Sequence, residues 1–180
     1  MRSVDEHLTH ILSSTTVLGS ESIAVATAAG RVVVEDVRAA VSVPVFDNSA
    51  MDGYAVHYQD VAGASEVSPV SLLVVADLPA GTHEHPEIEP GQAARIMTGA
   101  PFPRGADTVV PVEETDGGTR TVQIRGVKER GAHVRSAGED NRAGDVVVPC
   151  GTRLGALEQS AIASVGVSEV LVSRRPRVAV

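Results

Sequence analysis

The first stretch that could do chemistry is VPVFDNSAMDGYAV, residues 43–56. It combines Asp47, Asn48 and Asp52 with Gly53 and an unusual share of the chain's few aromatic side chains. Asp, Asn and Ser side chains bond to nearby backbone groups, and glycine lets the chain turn. We therefore predict a structured loop from which Asp52 projects. Taken alone, an Asp before a Gly is more often a plain turn former than a functional residue.

The second stretch is RIMTGAPFPRGADTVVPVEE, residues 95–114. Thr98-Gly99-Ala100-Pro101 ends one predicted strand, and the chain resumes an extended pattern after Gly105. A loop of this kind exposes backbone amides, which suit an anion site with the Thr98 hydroxyl and the charge of Arg95 or Arg104. A rigid Pro-Gly connection is the other interpretation.

The third stretch is GAHVRSAGEDNRAGDVVVPCGT, residues 131–152. It groups Arg135, Glu139, Asp140 and Asp145 among glycines. Carboxylates on loops suit magnesium that keeps its waters. They suit equally a charge network with Arg135 and Arg142, and for an isolated cluster this structural interpretation is favoured. The sequence alone leaves the presence of a metal open.

Two helices and a strand-rich middle must position these stretches. Ser3 and Glu6 form a capping-box pattern before apolar residues at helical spacing, which predicts a helix over 4–14. A second helix is predicted over 156–165, with Gly166 as the residue that ends it. The Val-rich runs between them predict strands, and TDGG predicts a β-hairpin over 107–126. The expected fold class is α+β, mostly β.

Composition excludes several functional classes. A net charge of -8 gives no attraction to nucleic acid or to an anionic membrane surface. Cys150 is the only cysteine, which excludes an internal disulfide and favours a cytoplasmic protein. The N-terminus lacks the pattern of a signal peptide, and no apolar run is long enough to span a membrane.

The motifs FDNSAMDGYAV, RIMTGAP, GADTVVPVE and GEDNRAGD, in this order, resemble the N-terminal half of the MoeA family of molybdopterin molybdenumtransferases, whose eukaryotic relatives include the E domain of gephyrin. The resemblance implies an elongated arrangement of two lobes. Domain I would comprise residues 1–44 and 145–176, and a β-barrel-like domain II would be inserted over 45–144. Residues 177–180 would begin the first strand of a third domain, which in the family holds the pterin substrate.

The resemblance also implies a function. Family members insert molybdate into adenylylated molybdopterin with the help of Mg²⁺, act as homodimers and receive their substrate from a molybdopterin adenylyltransferase. Matching motif positions imply catalytic roles for Asp52, Thr98 and Asp140, and substrate binding by Arg135, Ser49 and Gly99; the metal ligands stay unknown. Without the third domain, the chain is expected to be inactive alone. The alternative is a non-catalytic dimerisation or scaffold module, since gephyrin-type proteins also cluster partner proteins.

Overall fold

The computed structural model describes residues 2–179, which form two compact units. One unit comprises the described residues of Met1–Val41 and Ala143–Val180, and the other is Ser42–Arg142. The α-helices are α1 (Val4–Ser13), α2 (Tyr58–Val61) and α3 (Ala156–Ser164). The strands are β1 (Ser20–Ala24), β2 (Val37–Arg38), β3 (Asn48–Ser49), β4 (Gly53–Val56), β5 (Val70–Leu78), β6 (Gln92–Ile96), β7 (Thr108–Pro111), β8 (Thr121–Ile124), β9 (Val134–Arg135), β10 (Val146–Val148) and β11 (Glu169–Ser173).

In the first unit, two short antiparallel pairs and α3 enclose a small aliphatic core. Strand β1 pairs with β11, and β2 pairs with β10. Buried side chains from both pairs and from α3 meet in this core, among them Val37, Val148, Ile162 and Val172. Helix α3 ends where Gly166 adopts a φ of 80°, as the sequence predicts.

Helix α1 forms because its first turn is capped from both directions. The Ser3 hydroxyl accepts a hydrogen bond from the Glu6 amide at 3.2 Å, and the Glu6 carboxylate accepts one from the Ser3 amide at 2.7 Å. This confirms the predicted capping box and, within one residue, the predicted helix. No residue of α1 is buried, so its apolar stripe has no cover among residues 2–179.

The second unit is built on a five-stranded sheet in the order β7-β4-β6-β5-β8. Strand β4, which lies between β7 and β6, is fully buried, and it requires glycine at its first position. A Cβ atom on Gly53 would lie only 2.0 Å from the carbonyl oxygen of Val110 on β7. The sheet curls towards a half-barrel, and an isolated bridge between Thr115 and Ile124 joins the segment after β7 to β8.

The predicted hairpin over 107–126 is wrong in its strand pairing. Both strands form, but β7 pairs with β4 and β8 pairs with β5, at opposite edges of the sheet. The reason is local: β7 ends at Pro111, which has no amide hydrogen, and the chain turns in a 3₁₀-helix over Val112–Glu114. Only residues 114–125 close a short antiparallel contact around the glycine turn.

The remaining sequence predictions concern the fold class, the strand expected in the last residues and the absence of a membrane span. The α+β, mostly β class is confirmed, with a curled sheet where a barrel-like lobe was expected. The strand expected in the last residues is not formed, since residues 174–179 have no regular secondary structure and lie in no sheet; Val180 lies outside the described residues. Among residues 2–179, no helix has the length and apolar character needed to cross a membrane.

Candidate functional site

Asp52 and Thr98 form the best-defined polar contact in the predicted functional loops. Asp52 lies directly before β4, and Thr98 follows β6, which is paired with β4. One carboxylate oxygen of Asp52, Oδ1, accepts hydrogen bonds from both the backbone amide and the hydroxyl of Thr98, each at 2.7 Å. The TGAP loop therefore does bind an anion, and that anion is the side chain of Asp52.

This contact favours the ionised form of Asp52. The Thr98 amide is the largest influence, followed by the Thr98 hydroxyl, and together with the nearby positive charge of Arg95 they hold the pKa of the Asp52 carboxyl below its usual value despite some desolvation. Asp52 is exposed, and its Oδ2 has no hydrogen bond within residues 2–179. A fixed carboxylate with one open oxygen can accept an N–H or O–H group from a ligand.

Gly99 and Ser49 shape the loop around this pair. The Gly99 amide donates to the Ser49 carbonyl at 2.8 Å, and glycine is required there because φ is 80°. Ser49 is completely buried, and its hydroxyl donates to the Met51 carbonyl at 2.5 Å. Substrate binding by Ser49 stays a prediction; in this structure its hydroxyl is used to fold the loop. Gly99 is exposed, so its backbone stays accessible.

Arg135 and Asp140 form a second polar group. A guanidinium nitrogen of Arg135 lies 2.8 Å from Asp140 Oδ2, and Nε lies 3.8 Å from Glu139. The hydrogen bond and the charge of Asp140 raise the pKa of Arg135 above its usual value. Arg135 therefore forms with Glu139 and Asp140 a charge network of the kind that the structural interpretation of this cluster predicted. Both members of the close pair are partly exposed, at 37% for Arg135 and 50% for Asp140.

The short strand β3 brings all three sequence stretches together. Asn48 on β3 pairs with Arg135 on β9, and it also forms a bridge to Pro101 in the second stretch. Just before β3, a carboxylate oxygen of Asp47 accepts a hydrogen bond from the Ala137 amide at 2.7 Å. The Asp52–Thr98 pair and the Arg135–Asp140 pair are thus fixed to one backbone framework inside the Ser42–Arg142 unit.

Sequence analysis missed the roles of two residues in this framework. Asp47 links the first stretch to the third across 90 positions of sequence, and the only local signal was its place in an Asp-Asn pair. Arg95 was considered as one of two possible charges; the structure puts it, rather than Arg104, beside Asp52 in a small cavity of about 120 Å³. That cavity also contacts Gly53 and Tyr54.

The described residues do not make a complete metal site by themselves. Within residues 2–179, no group of three or more His, Asp, Glu or Cys side chains is arranged to hold a metal ion. Glu139 and Asp140 face Arg135 instead. His83 and His85 lie exposed on an irregular connection.

Comparisons with known proteins agree on one family. A family model described as "MoeA N-terminal region (domain I and II)" matches residues 2–166. Molybdopterin molybdenumtransferase 2 of Mycobacterium tuberculosis is 43% identical over 180 residues, which cover 100% of this chain and 44% of that protein. Molybdopterin molybdenumtransferase of Nostoc sp. is 44% identical over 151 residues, covering 84% of this chain and 35% of that protein.

A solved structure supports the same grouping. The molybdopterin biosynthesis MoeA protein of Pyrococcus horikoshii superposes with a TM-score of 0.86 at 32% sequence identity. The match covers 98% of this chain and 45% of that structure. The chain therefore spans less than half the length of the relatives it matches.

Proposed function

This chain belongs to the family of MoeA N-terminal regions, and we propose that it provides domains I and II of an enzyme that inserts molybdate into adenylylated molybdopterin. The relatives that carry the name molybdopterin molybdenumtransferase support this proposal. Since the chain spans less than half of those relatives, it would work only together with the rest of such an enzyme. The expected domain limits, 1–44 with 145–176 and 45–144, belong to the same proposal.

The observation that carries the proposal is the Asp52–Thr98 contact. Thr98 donates twice to one oxygen of Asp52, which fixes the carboxylate and leaves the other oxygen for a ligand. A carboxylate held in this way can orient a substrate by accepting its amine or ring N–H groups without first having to lose mobility. In this proposal Asp52 contacts substrate and Thr98 positions Asp52.

Arg135 and Asp140 would act on the charged part of the substrate. The guanidinium carries five N–H donors, of which its carboxylate neighbours use only some, and phosphate oxygens are matching acceptors. Asp140 would hold the guanidinium in place and is the third residue proposed for catalysis. Gly99 contributes an exposed backbone, whereas Ser49 maintains the loop from inside.

The proposals of a magnesium ion, a homodimer and an adenylyltransferase partner rest on the family resemblance. The side chains described above do not fit a complete magnesium site, so the ion would need ligands from substrate or from other parts of the whole enzyme. The exposed stripe of α1 supports a dimer, because Val4 is 84% and Leu12 59% exposed to solvent. Cysteine usage supports a cytoplasmic location.

The test is reconstitution from separate parts. The chain, a C-terminal part from a full-length relative, and their mixture would each be incubated with adenylylated molybdopterin, molybdate and Mg²⁺. We expect molybdate incorporation and release of adenylate only in the mixture. Activity of this chain alone would contradict the proposal that it works only together with the rest of the enzyme. Binding of the two parts without any activity would instead favour a non-catalytic dimerisation module.

A further inference from the structure

The loop over residues 136–141, which contains Asp140, is bound to the segment just before β3. The Gly138 amide donates to the Pro44 carbonyl at 2.9 Å, and the Asp140 amide donates to the Val43 carbonyl, also at 2.9 Å. Both bonds join backbone groups, so neither uses a side chain. A side-chain contact to the same loop can therefore be removed while these two bonds remain.

Asp47 supplies such a side-chain contact. One of its carboxylate oxygens, Oδ1, accepts a hydrogen bond from the Ala137 amide at 2.7 Å. Ala137 lies two residues after Arg135 and three residues before Asp140. The bond therefore fixes the chain between the two members of the Arg135–Asp140 ion pair, whose side chains are 2.8 Å apart.

The backbone that carries the Asp47 carboxylate is itself fixed. The Asp47 carbonyl accepts a hydrogen bond from the Phe102 amide at 2.9 Å. The next residue, Asn48, is buried and pairs with Arg135 between β3 and β9, and its side-chain amide donates to the Phe46 carbonyl at 3.1 Å. A carboxylate on such a backbone loses little further freedom when it accepts a hydrogen bond.

We propose that Asp47 is a positioning residue for the Arg135–Asp140 pair. Its carboxylate holds the 136–141 loop in the conformation in which the Asp140 side chain reaches Arg135, and this leaves other guanidinium donors for the charged part of the substrate. Asp47 itself contacts no substrate in this assignment. The inference rests on the proposed function, because it assumes that Arg135 and Asp140 act on substrate.

Three variants separate this role from a general contribution to stability. Asp47→Ala removes the acceptor, whereas Asp47→Asn retains an oxygen that can accept from the Ala137 amide. Asp60→Ala is the matched control, since Asp60 lies in α2 of the same unit and its Oδ2 accepts a hydrogen bond from the Gly91 amide, also at 2.7 Å. Both alanine variants thus remove one bond between an aspartate and a loop amide, at different places.

The first measurement is ¹⁵N NMR relaxation of this chain, which needs no substrate. It reports the mobility of the 136–141 amides and of Arg135 Nε, and the spectra verify that each variant keeps the parent fold. We expect order parameters of the 136–141 amides to fall from about 0.85 towards about 0.6 in Asp47→Ala, with Arg135 Nε also more mobile. Asp47→Asn should restore most of the rigidity, and Asp60→Ala should change only the surroundings of Gly91.

The second measurement is the kinetics of molybdate incorporation by the reconstituted mixture with each variant. Asp47→Ala should lower kcat/KM about tenfold, as loss of one hydrogen bond to a charged group predicts, while Asp47→Asn should recover most of it and Asp60→Ala all of it. Loss of folded enzyme would lower kcat and leave KM unchanged. A raised KM for adenylylated molybdopterin therefore distinguishes positioning from instability.

The inference is overturned if Asp47→Ala leaves Arg135 Nε and the 136–141 amides as rigid as in the parent. It is also overturned if Asp47→Ala keeps the parent kinetics in an active mixture, or if Asp60→Ala reproduces its effects. Unchanged mobility beside an active parent mixture would remove the assignment of Asp47 alone. An inactive parent mixture would remove the proposed function, and the role of Asp47 in the reaction with it.

Discussion

Asp107 allows the contribution of one carboxylate to stability to be worked out from its contacts. It accepts hydrogen bonds from the Tyr58 amide at 2.7 Å, from the Thr108 hydroxyl at 3.1 Å and from Arg130 Nε at 2.7 Å. Its own backbone also holds the loop that leads to β9, because the Gly131 amide donates to its carbonyl. Replacing Asp107 therefore tests how much this charge contributes to the stability of the Ser42–Arg142 unit.

The expected loss of stability follows from these contacts. A hydrogen bond to a charged group contributes about 1.5–3 kcal/mol. The Arg130 side chain is 69% exposed, so its ion pair adds at most about 1 kcal/mol. In Asp107→Asn the amide oxygen still accepts from Tyr58 but the charge is gone, so we expect a loss of about 1–2 kcal/mol. Asp107→Ala removes all three acceptor contacts and should cost about 2–4 kcal/mol.

The pH dependence has a definite sign. Burial opposes ionisation of Asp107, but the hydrogen bonds and Arg130 outweigh it and lower its pKa in the folded state. A lowered folded pKa stabilises the protein above the unfolded pKa of about 3.9, and this stabilisation disappears as the pH falls through the folded pKa. The difference in unfolding free energy between the parent and Asp107→Asn should therefore be complete at neutral pH and shrink in acid.

Urea unfolding monitored by far-UV circular dichroism, repeated from neutral to acidic pH, measures this difference. Asp77→Asn is the control, because the Asp77 side chain is 62% exposed and reaches Arg95 only at 3.5 Å. It should change the unfolding free energy by less than about 0.5 kcal/mol. Equal stability of Asp107→Asn and the parent at neutral pH, or a difference that grows in acid, would refute the reasoning.

Three further predictions concern single positions. Gly53→Ala should prevent folding of the sheet or destabilise it by several kcal/mol, since its Cβ would lie 2.0 Å from the Val110 carbonyl oxygen; intact strand signals in circular dichroism would contradict this. Thr98→Val should raise the pKa of Asp52 only part of the way to its usual value, because the backbone donor remains, and carboxyl ¹³C NMR during a pH titration measures the rise. His133→Asn should maintain or raise the melting temperature, since His133 has a φ of 61° and its buried Nε2 has no hydrogen-bond partner within residues 2–179. A clear fall in the melting temperature would show that packing of the imidazole outweighs both costs.

The sequence predicted well those features that depend on nearby residues. Helix α1 was predictable because Ser3 and Glu6 cap each other three positions apart. The glycine that ends α3 was predictable because glycine adopts positive φ without a steric cost. The alternating strands β7 and β8 were also located correctly, since side-chain alternation is a local property.

Features that depend on distant residues were less predictable. The partners of β7 and β8 lie elsewhere in the sheet, and a turn motif between two strands does not reveal that β4 and β5 compete for them. The bond between Asp52 and Thr98 spans 46 positions, so composition of the loops could suggest an anion site but not that Asp52 itself occupies it. The burial of Ser49 follows from its place under the 99–101 loop, which no local pattern indicates.

The central claim is that the exposed carboxylate of Asp52, fixed by Thr98, acts on substrate during molybdate insertion. The most direct test is the rate of molybdate incorporation by the reconstituted mixture with Asp52→Asn, compared with Glu66→Gln as a variant that also removes one exposed negative charge. We predict that Asp52→Asn abolishes incorporation while the halves still bind each other, and that Glu66→Gln retains the parent rate. Equal rates for the parent, Asp52→Asn and Glu66→Gln would contradict the claim.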